Sequence, residues 1–284
     1  MTRPSLLIKL TNHRMLSRFQ PLPEKGKNGQ QVTLPEKKLF KTISREFAVQ
    51  SSLFFSKTGR KGVKNMAIIG VLLSGCGVYD GSEIHEAVLT LLNLDRAGAE
   101  ILCMAPDMEQ NDVMNHLTGQ PMKEKRNVLV ESARIARGDI RDIREVKASD
   151  IDGLILPGGL GATKNLSNFA FKRDDAEVQP DVKRLLVEMV QAGKPIGAIC
   201  IAPATLTKAL SGYDPEVTIG NDPATAEAIE AMGGKHHTAG VEDICVDLRN
   251  KLVTTPAYML GPGIRDVASG IEKLVLKVLE LASL

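Results

Sequence analysis

The chain has 284 residues and only four cysteines, at positions 76, 103, 200 and 245, and no two of them form a C-x-x-C pair. That spacing points to neither a zinc site nor a disulfide framework and fits a reducing compartment. No internal repeat, P-loop or dinucleotide fingerprint occurs, so nothing signals a nucleotide or other cofactor. No apolar run has the length of a membrane span or the make-up of a signal peptide. His236 and His237 are adjacent; on a strand they face opposite sides and cannot ligate one metal together. The expectation is an active site without cofactor or metal.

A further shortage is local. Residues 1–65 contain 14 Lys and Arg but 3 acids, a charge of +11, whereas residues 66–284 carry 22 against 31, a charge of −9. A basic segment without a strong apolar period cannot bury a core, so 1–65 is expected to be poorly ordered. Three readings fit it: a transit segment to an organelle, an unstructured tail, or an extension ahead of a true start at Met66. The segment has no aromatic or Gly-Arg pattern, and the acidic remainder would repel a phosphate backbone, so nucleic acid is not an expected partner. Residues 66–284 form one domain of ample size for a single core. The expected location is the cytoplasm, with the mitochondrial matrix as the alternative if 1–65 is a transit segment.

What the domain does have is a strand ending in a cysteine. The run Lys194 to Ile199 is apolar, Cys200 follows, and a helix begins immediately behind it. Ala198 and Ala202, two residues to either side, leave room for the strained strand-to-helix turn of a nucleophile elbow. The helix N-terminus would favour thiolate over thiol. Burial as an ordinary packing cysteine is the competing reading.

Two further strand ends converge on the same sheet edge. Gly153 to Leu156 runs into Pro157-Gly158-Gly159, where backbone N–H groups can approach a ligand; the N–H groups of Gly159 and Ile201 would then form an oxyanion hole. Ala67 to Leu73 leads through Ser74 to Ser82 into Glu83 and a helix whose apolar positions are Ile84, Ala87, Val88, Leu91 and Leu92. Glu83 is either a general acid and base beside Cys200 or the third member of a capping box begun by Asp80. Cys76, Gly158, Asn165 and Asp222 are the remaining candidates for the pocket. The segment from Ala162 to Glu177 is expected to fold over the crevice as a loop.

The order of elements is that of an α/β protein. Strands alternate with helices to Gly220, and Val241–Asp247 with Lys251–Thr255 reads as a hairpin before an amphipathic last helix. A mostly parallel sheet covered on both faces follows, with ligands at its carboxyl edge.

The stretch from Ser74 to Ala87, Pro157-Gly158-Gly159 with Lys164 to Ser167, and Gly193 to Gly197 leading into Cys200 to Pro203 resemble the ElbB family, a branch of the ThiJ/PfpI superfamily related to class I glutamine amidotransferases. The resemblance runs from about Met66 to the C-terminus. It implies a flavodoxin-like three-layer α/β sandwich, a Cys200 nucleophile with Glu83 as partner carboxylate, and cofactor-free glyoxalase activity. Superfamily relatives imply a homodimer, and an older label links the family to isoprenoid biosynthesis. The chain departs from a working glutaminase in having no His-x-Glu, and where many superfamily members place a histidine before a proline it reads Asn221-Asp222-Pro223. The leading expectation is conversion of small aldehydes such as glyoxal to a 2-hydroxy acid through a cysteine hemithioacetal. The alternatives are a thiol-based redox sensor, with Cys76 as resolving partner, and a partner-dependent glutaminase-like subunit.

Overall fold

The computed structural model describes residues 66–283, so the expectations for 1–65 lie outside the described residues. Among the described residues eleven strands run in chain order: β1 Ile68–Leu72, β2 Glu100–Ala105, β3 Met114–Asn115, β4 Gln120–Pro121, β5 Arg141–Asp142, β6 Gly153–Leu156, β7 Ile196–Ile199, β8 Glu216–Gly220, β9 Lys235–Thr238, β10 Cys245–Asp247 and β11 Leu252–Thr255. The helices are α1 Ile84–Arg96, α2 Val128–Ile135, α3 Gly161–Lys164, α4 Phe169–Lys172, α5 Pro180–Gln191, α6 Ala202–Ala209, α7 Pro223–Ala231 and α8 Ile264–Ala282.

Seven strands form the main sheet in the order β10-β11-β7-β6-β1-β2-β5. Every pairing in it is parallel except β10 with β11, the hairpin expected from the sequence. The strands are apolar on both faces because both are covered. Leu154 and Leu156 of β6 pack with Leu185, Leu186 and Met189 of α5 and Leu206 of α6. Ile69 and Val71 of β1 and Ile155 of β6 pack on the opposite side with Ala87 and Leu94 of α1 and the inward stripe of α8. The fold is thus a flavodoxin-like, amidotransferase-like three-layer sandwich.

Strand order decides where a ligand goes. From β1 the chain steps outward to β2 and β5, then returns to the other side of β1 as β6 and continues to β7. The crevice at such a reversal, beyond the carboxyl ends of β1, β6 and β7, is the expected binding place in an open α/β sheet.

Strand β8 pairs with β9 in a separate two-stranded sheet. Two expectations are corrected. Ala162 to Glu177 is not a loose loop: it holds α3, α4 and a 3-10 turn at Arg173–Asp175, with Ala162, Leu166 and Phe169 buried. In α1 the apolar positions Ile84, Val88 and Leu92 are exposed, while Glu86, Thr90 and Asn93 are buried with Ala87 and Leu94. The helix is rotated from its apolar pattern so that Glu86 faces the crevice.

Candidate active site

The strand-to-helix turn is built as its sequence demands. Cys200 lies between β7 and α6 with φ of 62°, a left-handed conformation that side chains rarely adopt. Its N–H donates to the Thr255 carbonyl at 2.9 Å, which ties the elbow to the end of β11. Ala198 and Ala202 are fully buried against it, so larger residues there would have no space. Strain of this kind persists only where the surroundings over-determine it.

The N–H groups of Gly159 and Ile201 lie beside the Cys200 thiol and favour its ionised form. Gly159 is at φ of 90°, and a Cβ there would collide with the Glu83 nitrogen and the Gly81 carbonyl. Gly158 is held as tightly: a Cβ on it would lie 2.5 Å from the Cys200 Cβ and 2.6 Å from Glu86 Oε2. Backbone donors fixed this way can hold charge that develops on the oxygen of a carbonyl carbon attacked by the sulfur.

The carboxyl against the thiol is that of Glu86. It is fully buried, lies against Cys200 across Gly158, accepts the Gly158 N–H on Oε2 at 2.8 Å and faces the Tyr258 N–H at 3.4 Å through Oε1. Burial first, and the charge of Glu83 second, push the Glu86 carboxyl up to about 8, so it is protonated at neutral pH. Burial and then Glu86 push the Cys200 thiol well above its ordinary value, against the pull of the Gly159 and Ile201 N–H groups. The lowered thiol expected from the helix N-terminus is therefore corrected: desolvation outweighs the dipole at a residue only 8% exposed.

Glu83 is corrected with it. It is neither the residue packed against Cys200 nor the third residue of a box begun by Asp80; it is itself the N-cap of α1, its Oε2 accepting the Glu86 N–H at 2.7 Å. Its own N–H donates to the Gly158 carbonyl at 2.9 Å, so Glu83 and Glu86 grip Gly158 from opposite sides. Asp80 instead accepts the Met114 N–H at 2.7 Å.

Of the other pocket candidates, the structure brings only Gly158 to the thiol. Asn165 is a staple: its Nδ2 donates to the Ser74 and Asp80 carbonyls, each at 2.9 Å, and its Oδ1 accepts the Asn111 N–H at 2.9 Å. Asp222 caps α7 by accepting the Thr225 N–H at 2.8 Å. Cys76 lies among Glu131, Arg134 and Asp80, where burial and then Glu131 push its thiol up, and it is free, as are the other three cysteines.

Sequence reasoning missed Glu86 and Tyr258. Tyr258 lies in the turn after β11, next to Ala257 at φ of 43°, and its hydroxyl meets His85 Nδ1 at 2.8 Å. The signal for Glu86 was present, since a helix starting at Ile84 puts an acid three residues after Glu83 within its first turn. Among the described residues no histidine is a hydrogen-bond partner of Cys200.

A three-layer sandwich of this strand order, with a cysteine set at a positive-φ elbow, is an amidotransferase-like α/β domain. Residues 76–255 match the DJ-1/PfpI family, and the chain belongs to that family. It is 49% identical over 225 residues to human (Homo sapiens) "Glutamine amidotransferase-like class 1 domain-containing protein 3, mitochondrial", covering 76% of this chain and 83% of the relative. It is 44% identical over 258 residues to the rat (Rattus norvegicus) "ES1 protein homolog, mitochondrial", covering 87% of this chain and 93% of the relative. Among solved structures, the isoprenoid biosynthesis protein with amidotransferase-like domain from Ehrlichia chaffeensis superposes with a TM-score of 0.70 at 39% identity, covering 75% of this chain and 99% of that one.

Proposed function

We propose that the protein is a cofactor-independent enzyme of glyoxalase type that converts glyoxal to glycolate at Cys200. The observation that carries this reading is the buried thiol of Cys200 packed with the buried carboxyl of Glu86 around Gly158, beside the Gly159 and Ile201 N–H groups. The thiol adds to one aldehyde carbon: an S–C bond forms, and the thiol proton ends on the former carbonyl oxygen, giving a hemithioacetal. A neutral carboxyl donates through its hydroxyl and accepts through its other oxygen, so Glu86 can pass that proton without first becoming an anion. Its ionised fraction then takes the C–H proton of the hemithioacetal carbon, and the adjacent carbon is protonated in turn, giving a glycolyl thioester. Water adds, the S–C bond breaks, and glycolate and the thiol are released. The sum is glyoxal plus water to glycolate and a proton, with no net redox change.

Aldehydes suit this site better than amides. Among the described residues no histidine partners Cys200 to protonate an amine leaving group, and an aldehyde has no leaving group to protonate. The sensor reading draws little support from a thiol that is 8% exposed and held in its neutral form, because oxidation follows thiolate character and access. Within the DJ-1/PfpI family we assign the chain to the ElbB branch, a placement supported by its 39% identity to the Ehrlichia chaffeensis protein. The names of the human and rat relatives support mitochondria rather than the cytoplasm as the location, with the +11 segment 1–65 as the transit signal.

The test is glycolate formation from glyoxal by the purified protein, followed by NMR, with Cys200→Ala and Cys200→Ser alongside. Turnover that Cys200→Ala abolishes is the expected result. Wild-type protein that makes no glycolate, or Cys200→Ala at the wild-type rate, overturns the proposal.

A further inference from the structure

The acids around Cys200 are not balanced by bases. Glu83 is 9% exposed and caps α1 one turn from the thiol's partner, with only its Oε2 engaged, by the Glu86 N–H at 2.7 Å. Its backbone nitrogen lies directly behind Gly159, whose own N–H faces the sulfur. Glu83 is thus packed directly against the backbone that would hold a substrate oxygen. Among the described residues, no lysine or arginine forms an ion pair or hydrogen bond with Glu83, Glu86 or Tyr258, although fifteen ion pairs occur elsewhere. The basic side chain beside this cluster is His85, and its Nδ1 is engaged with the Tyr258 hydroxyl at 2.8 Å.

We propose that Glu83 is a charge filter for the Cys200 site, admitting neutral and cationic carbonyl compounds and turning away anionic ones such as 2-oxo acids. This rests on the reading of Cys200 as a nucleophile toward carbonyl carbon. Sites that take carboxylates supply arginine or lysine for them, and this one places an acid there instead. A unit charge about 6–8 Å from another in a partly buried setting, at an effective dielectric near 20, changes an equilibrium by roughly 30–100-fold. The same repulsion acts on the product, because a 2-hydroxy acid leaves as an anion while glyoxal enters neutral. The filter thus lowers product inhibition as well as setting substrate class. Tyr258 reports the same field, since burial first, and then Glu83 and Glu86, push its hydroxyl up.

The experiment compares iodoacetamide with iodoacetate, a neutral and an anionic alkylating agent of similar size, on the full chain. Peptide mapping by mass spectrometry isolates the rate at Cys200, and free cysteine under the same conditions normalises the ratio. The expected amide-to-acid preference at Cys200 is about ten-fold or more above that of free cysteine, falling by about ten-fold in Glu83→Gln. Glutamine keeps an oxygen to accept the Glu86 N–H, so the cap survives. Glu272→Gln, an exposed acid on α8, should leave the ratio unchanged. In wild type the preference should shrink as salt rises from low ionic strength to about 1 M, which tests the idea even where a variant does not fold. A ratio equal to that of free cysteine, or one that neither salt nor Glu83→Gln moves, overturns the filter. Glyoxal and glyoxylate give the parallel comparison in turnover: if the alkylation preference holds and neither aldehyde is consumed, the glyoxalase reading fails and the filter stands.

Discussion

Gly158 and Cys200 are packed so closely that one added methyl group has nowhere to go. A Cβ on Gly158 would fall 2.5 Å from the Cys200 Cβ, 2.6 Å from Glu86 Oε2 and 2.8 Å from the Ile199 carbonyl. Two of those three neighbours are the proposed reacting groups and the third is backbone, so relief must come by moving the site itself. Gly158→Ala should therefore cost about 1–3 kcal/mol of stability, the usual price of overpacking, and lower the melting temperature by several degrees. Glyoxal turnover should fall by at least 10²-fold, since a displacement of about 1 Å at reacting groups has that effect. Wild-type turnover in a folded Gly158→Ala would show that the thiol and carboxyl need not keep this spacing.

The elbow predicts an inverted order of two substitutions. At an ordinary buried position alanine is more stable than glycine by about 0.5–1 kcal/mol. Cys200 sits at φ of 62°, where a Cβ costs about 1–2 kcal/mol and glycine has no such penalty. Cys200→Gly should equal or exceed Cys200→Ala in thermal unfolding, although both lack activity. A melting temperature for Cys200→Gly several degrees below that of Cys200→Ala would mean that the backbone is not strained there.

Asn165 and Asp222 are predicted to separate by size of effect. Asn165 is 3% exposed and satisfies the Ser74 and Asp80 carbonyls and the Asn111 N–H, so Asn165→Ala leaves several buried groups without partners. A loss of about 2–4 kcal/mol is expected in chemical denaturation. Asp222→Ala removes one cap from α7, which costs about 1 kcal/mol, and should leave glyoxal turnover at the wild-type level. Loss of turnover in a stable Asp222→Ala would return Asp222 to the site.

How much of this was legible beforehand follows from what fixes each feature. The fold was legible because buried parallel strands read as short apolar runs, and the elbow because small residues flank a cysteine between strand and helix. Gly159 and Ile201 followed from those two strand ends. The partner carboxyl did not, because Glu83 and Glu86 differ by less than one helical turn and only the start of α1 decides which one faces Cys200. The apolar pattern of α1 pointed to Ile84, Val88 and Leu92 as the inner face, yet these are exposed. The face that packs inward carries Glu86, Thr90 and Asn93, and such polar groups break the pattern that sequence reading relies on. The raised thiol was missed because burial depends on the whole fold, whereas the helix dipole that opposes it is local. Tyr258 was missed because it arrives from a turn 58 residues after Cys200 with no motif to mark it.

The last prediction concerns Glu86, whose protonation links stability to catalysis. Burial and the neighbouring Glu83 hold its carboxyl at about 8 in the folded protein, against 4.5 for a free glutamate side chain. Below pH 4.5 both folded and unfolded chains hold the proton, and the group favours neither. As pH rises from 4.5 to about 8 the unfolded chain ionises while the folded one stays protonated, so the wild type loses stability. Above about 8 both are ionised and the penalty is constant, at up to about 5 kcal/mol. Glutamine cannot ionise and removes this penalty. The melting temperature of Glu86→Gln relative to wild type should therefore climb between pH 5 and 8 and level off above, independently of any offset from the altered hydrogen bonds. Turnover should move the other way, with Glu86→Gln falling about 10²–10⁴-fold and losing the rise in wild-type rate as pH approaches 8, where the carboxylate becomes available as the base. A difference in melting temperature that stays flat from pH 5 to 8 would mean that Glu86 is already ionised in the folded protein, and the proton relay to Cys200 would have to be assigned to another group.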